Sequence, residues 1–211
     1  MMQKILVGLI ATIGSFVALI LLQPSDYQIT RTTTIAAPAQ DVFAQIDDFH
    51  RWQAWSPWAE RDPKAKTSFE GPASGKGAVF AWSGNNEVGE GRMTLMESQP
   101  GALVKIRTDF VKPFVGTSYS DFTLKPEGDG TALTWSMSGQ NDFIGKAICL
   151  FVSMDKVLGG EMAKGLAGIK RIAEPGTKKP AQNLSAPASY FHSSDQAAAT
   201  PRMSPEFGGG I

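Results

Sequence analysis

The 211-residue chain is long enough for one well-cored domain with extensions and short for two. Hydrophobic residues make up 42% and charged residues 19%, and 20 basic residues balance 20 acidic ones, so the basic surface that nucleic-acid binding needs is not indicated. A single cysteine, Cys149, rules out an internal disulfide, and with only His50 and His192 beside it the sequence argues against a structural zinc site.

The first segment belongs to a membrane. Ile5 to Leu22 is an uninterrupted apolar run without a charge. As a helix it reaches roughly 27 Å, close to the ~30 Å hydrocarbon core. A cleaved signal peptide has a shorter apolar region and a small-x-small cleavage site, for which Leu21-Leu22-Gln23-Pro24 is a poor match, and a core helix is disfavoured because the segment is apolar on every face. Lys4 precedes the run, which by the positive-inside rule keeps that end cytoplasmic and places the domain on the far side, with Arg31 a weak counterweight.

Tyr27 to Ile35 is rich in Thr and Ile and alternates like a strand. Pro38 then suits a helix first turn, and Val42, Phe43 and Ile46 recur at helical spacing. Asp47-Asp48 is able to cap a second short helix carrying Phe49 and Trp52. Trp52, Trp55 and Trp58 stand at steps of three, with Pro57 holding Ser56 extended. Period-two patterns then predict strands near 65–70, 77–83, 89–98, 102–110, 117–126 and 131–139. The breakers Gly71-Pro72, Gly84-Asn85, Pro100-Gly101, Lys112-Pro113 and Gly128-Asp129-Gly130 separate them. Short connections between successive strands imply an antiparallel meander. From Phe143 to Glu174 a broad apolar stripe predicts one long helix, with Gly159-Gly160 a place for a kink and Pro175-Gly176 its end. The remainder is rich in Pro, Ala, Ser and Gly without a periodic apolar face and reads as disordered. The expected organisation is an anchor over 1–24, an α+β domain over 25–174 and a tail over 175–211.

Several segments carry a family likeness: Ala37-Pro38-Ala39-Gln40-Asp41-Val42-Phe43, Trp52-Gln53-Ala54-Trp55-Ser56-Pro57-Trp58, Gly75-Lys76-Gly77 with Ala81-Trp82-Ser83-Gly84-Asn85, Val88-Gly89-Glu90-Gly91, and Lys164-Gly165-Leu166-Ala167-Gly168-Ile169-Lys170. In this order they resemble the polyketide cyclase/dehydrase-like branch of the START-related SRPBCC superfamily, over about residues 27–174. The resemblance implies a helix-grip fold, in which a curved seven-stranded antiparallel sheet grips a C-terminal helix around a deep hydrophobic cavity. It also implies a bacterial source, where members with one N-terminal membrane helix occur. It carries no reaction, so no catalytic residue is transferred.

Alternation then nominates the cavity lining: Phe80 and Trp82 on one strand, Ile106 with Phe110 on another, then Phe122, Trp135 and Met137, faced by Met154 and Leu158 from the last helix. Met and aromatic linings suit variable apolar ligands. Taken singly, each is better read as core; the functional reading is collective. Trp55 and Trp58 are candidates for the cavity rim, and Glu87, Arg92 and Tyr119 for a polar rim. Gly71 to Gly77 falls one residue short of a phosphate loop and precedes a strand, and no nucleophile elbow is present, so neither cofactor nor metal is expected. Together these features describe a single-pass protein of a bacterial inner membrane, held by residues 5–22, with a periplasmic domain that binds or carries a hydrophobic small molecule or lipid. A cyclase/dehydratase-like enzyme using the same cavity and a protein-interaction module are the alternatives.

Overall fold

The computed structural model describes residues 1–174; the expected tail, 175–211, lies outside the described residues. Helix α1 (Met2–Leu21) is long and apolar enough to cross a membrane by length and composition. Thr12 and Ser15 donate to the carbonyls of Gly8 and Ala11 one turn back, which satisfies the two hydroxyls inside the apolar run.

Strand β1 (Asp26–Ile35) leads into helix α2 (Ala39–Ile46), a 3-10 turn (Phe49–Ala54) and helix α3 (Pro57–Arg61). The meander comprises β2 (Lys66–Glu70), β3 (Val79–Ser83), β4 (Glu90–Gln99), β5 (Leu103–Lys112), β6 (Gly116–Glu127) and β7 (Gly130–Gln140). The seven strands form one antiparallel sheet in the order β1-β7-β6-β5-β4-β3-β2, so β1 closes against the last strand. Each strand falls within two residues of its predicted span. The short α3 is not among the predicted elements, although Ser56-Pro57 carries its signal: Pro57 occupies the first helical turn, where a missing N–H costs nothing.

The C-terminal apolar stripe is two helices, α4 (Phe143–Cys149) and α5 (Met154–Ala173). The break falls at 150–153 and not at the glycine pair. Ser153 caps α5, its Oγ accepting from the Lys156 N–H, with Asp155 in the favourable first turn. Asp142 caps α4 in the same way through the Gly145 N–H. Gly159, inside α5, instead admits Arg31 of β1. A Cβ there would collide with the guanidinium, whose Nη2 holds the Asp155 side chain at 3.0 Å and its carbonyl at 3.1 Å.

The core lies between the concave side of the sheet and the helices α2 and α5. Ile35, Val42, Ile46, Leu95, Val104, Ile106, Phe122, Leu133, Met162 and Ile169 are essentially inaccessible. On the outer side of β1 and β7 the hydroxyls pair across the strands, Thr30 with Ser136 and Thr32 with Thr134, both at 2.9 Å.

Candidate functional site: the concave face

Strand register arranges the inward side chains in rows across the sheet. One row runs Arg31, Trp135, Phe122, Val104; the next, toward the α1 end, runs Ile29, Met137, Ser120, Ile106, Leu95. The third runs Tyr27, Gly139, Ser118, Thr108, Met93, Phe80, Phe69. Side-chain size therefore falls sharply along the middle strands, from Trp and Phe to Ser, Gly and Thr.

The first row is solid. Phe122 and Trp135 stack with ring centroids 4.7 Å apart, and Trp55 meets both edge-on, at 6.5 and 6.2 Å. Trp52 lies 4.6 Å from Trp55, and Trp58 completes the cluster 6.0 Å from Trp135. The indoles of Trp52 and Trp55 donate to the carbonyls of Ile46 and Gln45, which fixes this plug to the end of α2. This end of the face is filled rather than hollow: Trp55, Phe122, Trp135 and Ile106 are packed core, and Trp55 also borders a surface concavity between α3 and α5. Trp58 is half-buried against that core.

The end where the small side chains lie is different. Ser118, Ser120 and Thr108 are buried; Met93, Met137 and Tyr27 project beside them from the same face, and Met154 and Leu158 of α5 are half-buried against the core. Methionine adapts its shape at little cost, so this end combines adaptable side chains with small polar ones. Tyr27 lies across Gly139, where a Cβ would stand 2.6 Å from the phenol oxygen. Burial pushes the Tyr27 phenol up from its ordinary value, and the Ser118 hydroxyl it reaches toward draws it part of the way back. The two do not close a bond of standard geometry, and Ser118 Oγ is buried without a hydrogen-bond partner. Trp135 Nε1, in the neighbouring part of the same face, is a second buried donor without an acceptor. Each orphaned group carries a desolvation penalty of ~1–3 kcal/mol.

Phe80, Trp82 and Phe110 extend the face toward β2 as an aromatic ladder, Phe80 on Trp82 at 6.1 Å and Trp82 on Phe110 at 6.0 Å. The three predicted rim residues are not brought together at a mouth. Glu87 is exposed in the β3–β4 turn, where its N–H meets the Asn85 side chain. Arg92 and Tyr119 have the opposite parity to Met93 and Ser118 and stand on the outer face, Arg92 paired with Glu70 at 3.3 Å. Two surface concavities of about 320 and 370 Å³ lie elsewhere. One runs along α3 and the C-terminal half of α5 beside Glu60, Lys164 and Arg171. The other runs along the outer side of β2–β4 beside Lys66, Glu90 and Arg92. Among the described residues, no three His, Cys, Asp or Glu side chains gather as metal ligands.

The residues that sequence reasoning passes over are Tyr27, Ser118 and Ser120. Their signal is parity: counting back by twos from Phe122 gives Ser120 and Ser118, whereas Tyr119 falls on the other side.

The chain belongs to a family described as polyketide cyclase / dehydrase and lipid transport, whose model matches residues 27–174. Solved structures share the fold. Protein CV1439 from Chromobacterium violaceum is 15% identical, with a TM-score of 0.53 over 70% of this chain and 97% of its own. Protein Mll3558 from Rhizobium loti is 21% identical, with a TM-score of 0.51 over 70% and 96%. The di-domain aromatase/cyclase StfQ of the steffimycin biosynthetic pathway is 13% identical at a TM-score of 0.53, over 71% of this chain and 51% of StfQ. No curated protein matches the chain.

Proposed function

We propose that this protein is a membrane-tethered binder or carrier of an apolar small molecule or lipid bearing a hydroxyl or carbonyl group. The guest lies on the concave face over Ser118, Ser120 and Thr108, displacing methionine side chains. The observation that carries this reading is the buried, unpartnered Ser118 Oγ among small polar side chains with adaptable methionines on the same face, while a second unpartnered donor, Trp135 Nε1, stands in the packed row of that face. A guest oxygen would satisfy such a donor while its apolar body replaces Met and Tyr contacts with its own. In this reading α1 is an uncleaved anchor, and Lys4 before it favours a domain on the periplasmic side of a bacterial inner membrane.

The family name also covers cyclases and dehydrases, which need an acid/base group facing the guest. Alternation turns Tyr27 and Arg31 inward among titratable side chains; Arg31 is engaged with Asp155, and Tyr27 is shifted further from acting as a base near neutrality. Binding is therefore preferred to catalysis. The test is native mass spectrometry of the full chain extracted from membranes in mild detergent, with organic extraction of the same sample. One apolar guest per chain is expected, with reduced recovery from the Ser118→Ala variant. Recovery of no guest, with variant and parent alike, contradicts the proposal.

A further inference from the structure

Five features meet at one end of the sheet. Register places the start of β1, the end of β7 and the β5–β6 hairpin tip together, since Asp26 pairs with Gln140, Ser118 with Gly139 and Phe110 with Gly116. Helix α1 ends at Leu21 and β1 begins at Asp26, so residues 22–25 are the entire link; four residues span at most ~14 Å. The link is further pinned where the Asn141 N–H donates to the Ser25 carbonyl at 2.6 Å, one residue before the α4 cap. Helix α4 has no buried residue although it reads Phe-Ile-Gly-Lys-Ala-Ile-Cys, and Phe151 just after it is 77% exposed. The hairpin tip presents Phe114 and Val115, the latter 82% exposed.

A seven-residue apolar helix with nothing buried is not explained by packing within the domain. Just after it, Phe151 makes an aromatic contact to α1, standing 6.4 Å from Phe16, five residues, or about 8 Å, inside the end of that helix. Whatever surrounds Phe16 therefore surrounds Phe151. From these relations we infer that α4 with Phe151 and the β5–β6 tip form a foot that enters the lipid headgroup and upper acyl region, so that the compliant end of the concave face rests on the bilayer. This rests on reading α1 as a membrane span. The occupant is a phospholipid leaflet, because the short link gives the foot no room for a protein layer between it and the membrane. Interfacial segments of this kind sink ~5–10 Å. Lys146 lies in α4 and Lys112, paired with Glu90 at 2.7 Å, at the base of the tip, so the foot carries basic groups beside its apolar ones.

The test uses the full chain in phosphatidylcholine vesicles. On a Cys149→Ser background, single cysteines are introduced by Val115→Cys in the foot, Asp129→Cys at the opposite end of the sheet and Ile13→Cys in α1, each labelled with a nitrobenzoxadiazole probe. Doxyl-labelled lipid is expected to quench the probes at 115 and 13 about twofold or more while iodide leaves them nearly unchanged, with the reverse at 129. Iodide quenching at 115 equal to that at 129 overturns the foot. So does protection at 115 from both quenchers, the signature of a covering protein or second copy. Lipid quenching absent at 13 is the separate failure of the anchor itself.

Discussion

Replacing Ser118 with alanine removes a hydroxyl that is 2% exposed and has no hydrogen-bond partner. A buried hydroxyl without compensation costs about 1–3 kcal/mol. The void left by one oxygen, at about 24 cal/mol per Å³, returns only a few tenths of that. Ser118→Ala is therefore expected to stabilise the delipidated protein by about 1 kcal/mol, a rise of roughly 2–4 °C in Tm for a domain of this size. Thr131→Val is the control. Thr131 faces the same side at the far end of β7, but its hydroxyl donates to the Ala37 carbonyl at 2.8 Å, so its removal is expected to destabilise by about 1–2 kcal/mol. Tryptophan fluorescence during denaturant unfolding of the full chain in micelles reads both. With guest bound, the sign at Ser118 inverts: losing one bond of about 0.5–1.5 kcal/mol weakens affinity roughly two- to tenfold. If Ser118→Ala destabilises the guest-free protein as much as Thr131→Val does, the hydroxyl is already satisfied and the reasoning fails.

The packing leads to three further outcomes. Alanine normally outranks glycine in a helix by ~1 kcal/mol, and Gly160→Ala, with open space beside it, is expected to stabilise α5 by about that much. Gly159→Ala is expected to destabilise instead, because its Cβ displaces the Arg31 guanidinium from Asp155; equal midpoints for the two variants in urea would refute this. Burial works to raise the Glu161 carboxyl, but hydrogen bonds from Lys164 and Arg61 and their charges together hold it below the usual carboxylate range. A lowered folded value means stability present above the unfolded pKa of about 4.3 and lost as pH falls through the folded one. Glu161→Gln should therefore weaken the protein near neutrality and flatten its loss of stability between about pH 5 and 3, as read from urea midpoints. Phe122→Ala, in the solid row, is expected to cost about 3–5 kcal/mol whether or not guest is present, measured in the same denaturant experiment.

Most of the fold is legible because half-buried antiparallel strands write their burial into period two, and each connection is marked by Gly, Pro or Asp. The final apolar stripe reads as one continuous helix because Phe151 and Val152 keep the pattern through the break. Both are exposed, and Phe151 meets Phe16 of α1 rather than the core, so hydropathy alone does not separate the two helices. Ser153 with Asp155 is the local cue. The site is half legible. Parity correctly turns Phe80, Trp82, Ile106, Phe110, Phe122, Trp135 and Met137 inward, but large side chains draw attention to the packed row. The proposed floor lies where side chains are small, and Ser118 and Ser120 carry no hydrophobic signal. Arg92 and Tyr119 draw notice by their chemistry although their parity puts them outside.

Methionine methyl groups provide the most direct test, because they report where a guest lies. The full chain, labelled with 13C at methionine methyls and delipidated in micelles, is titrated with an organic extract of the membranes from which it was purified. Met93, Met137 and Met154 are expected to shift together with saturation, while the exposed Met96 on β4 stays unmoved. Unchanged spectra at those three positions, or shifts as large at Met96, would contradict a guest on the concave face.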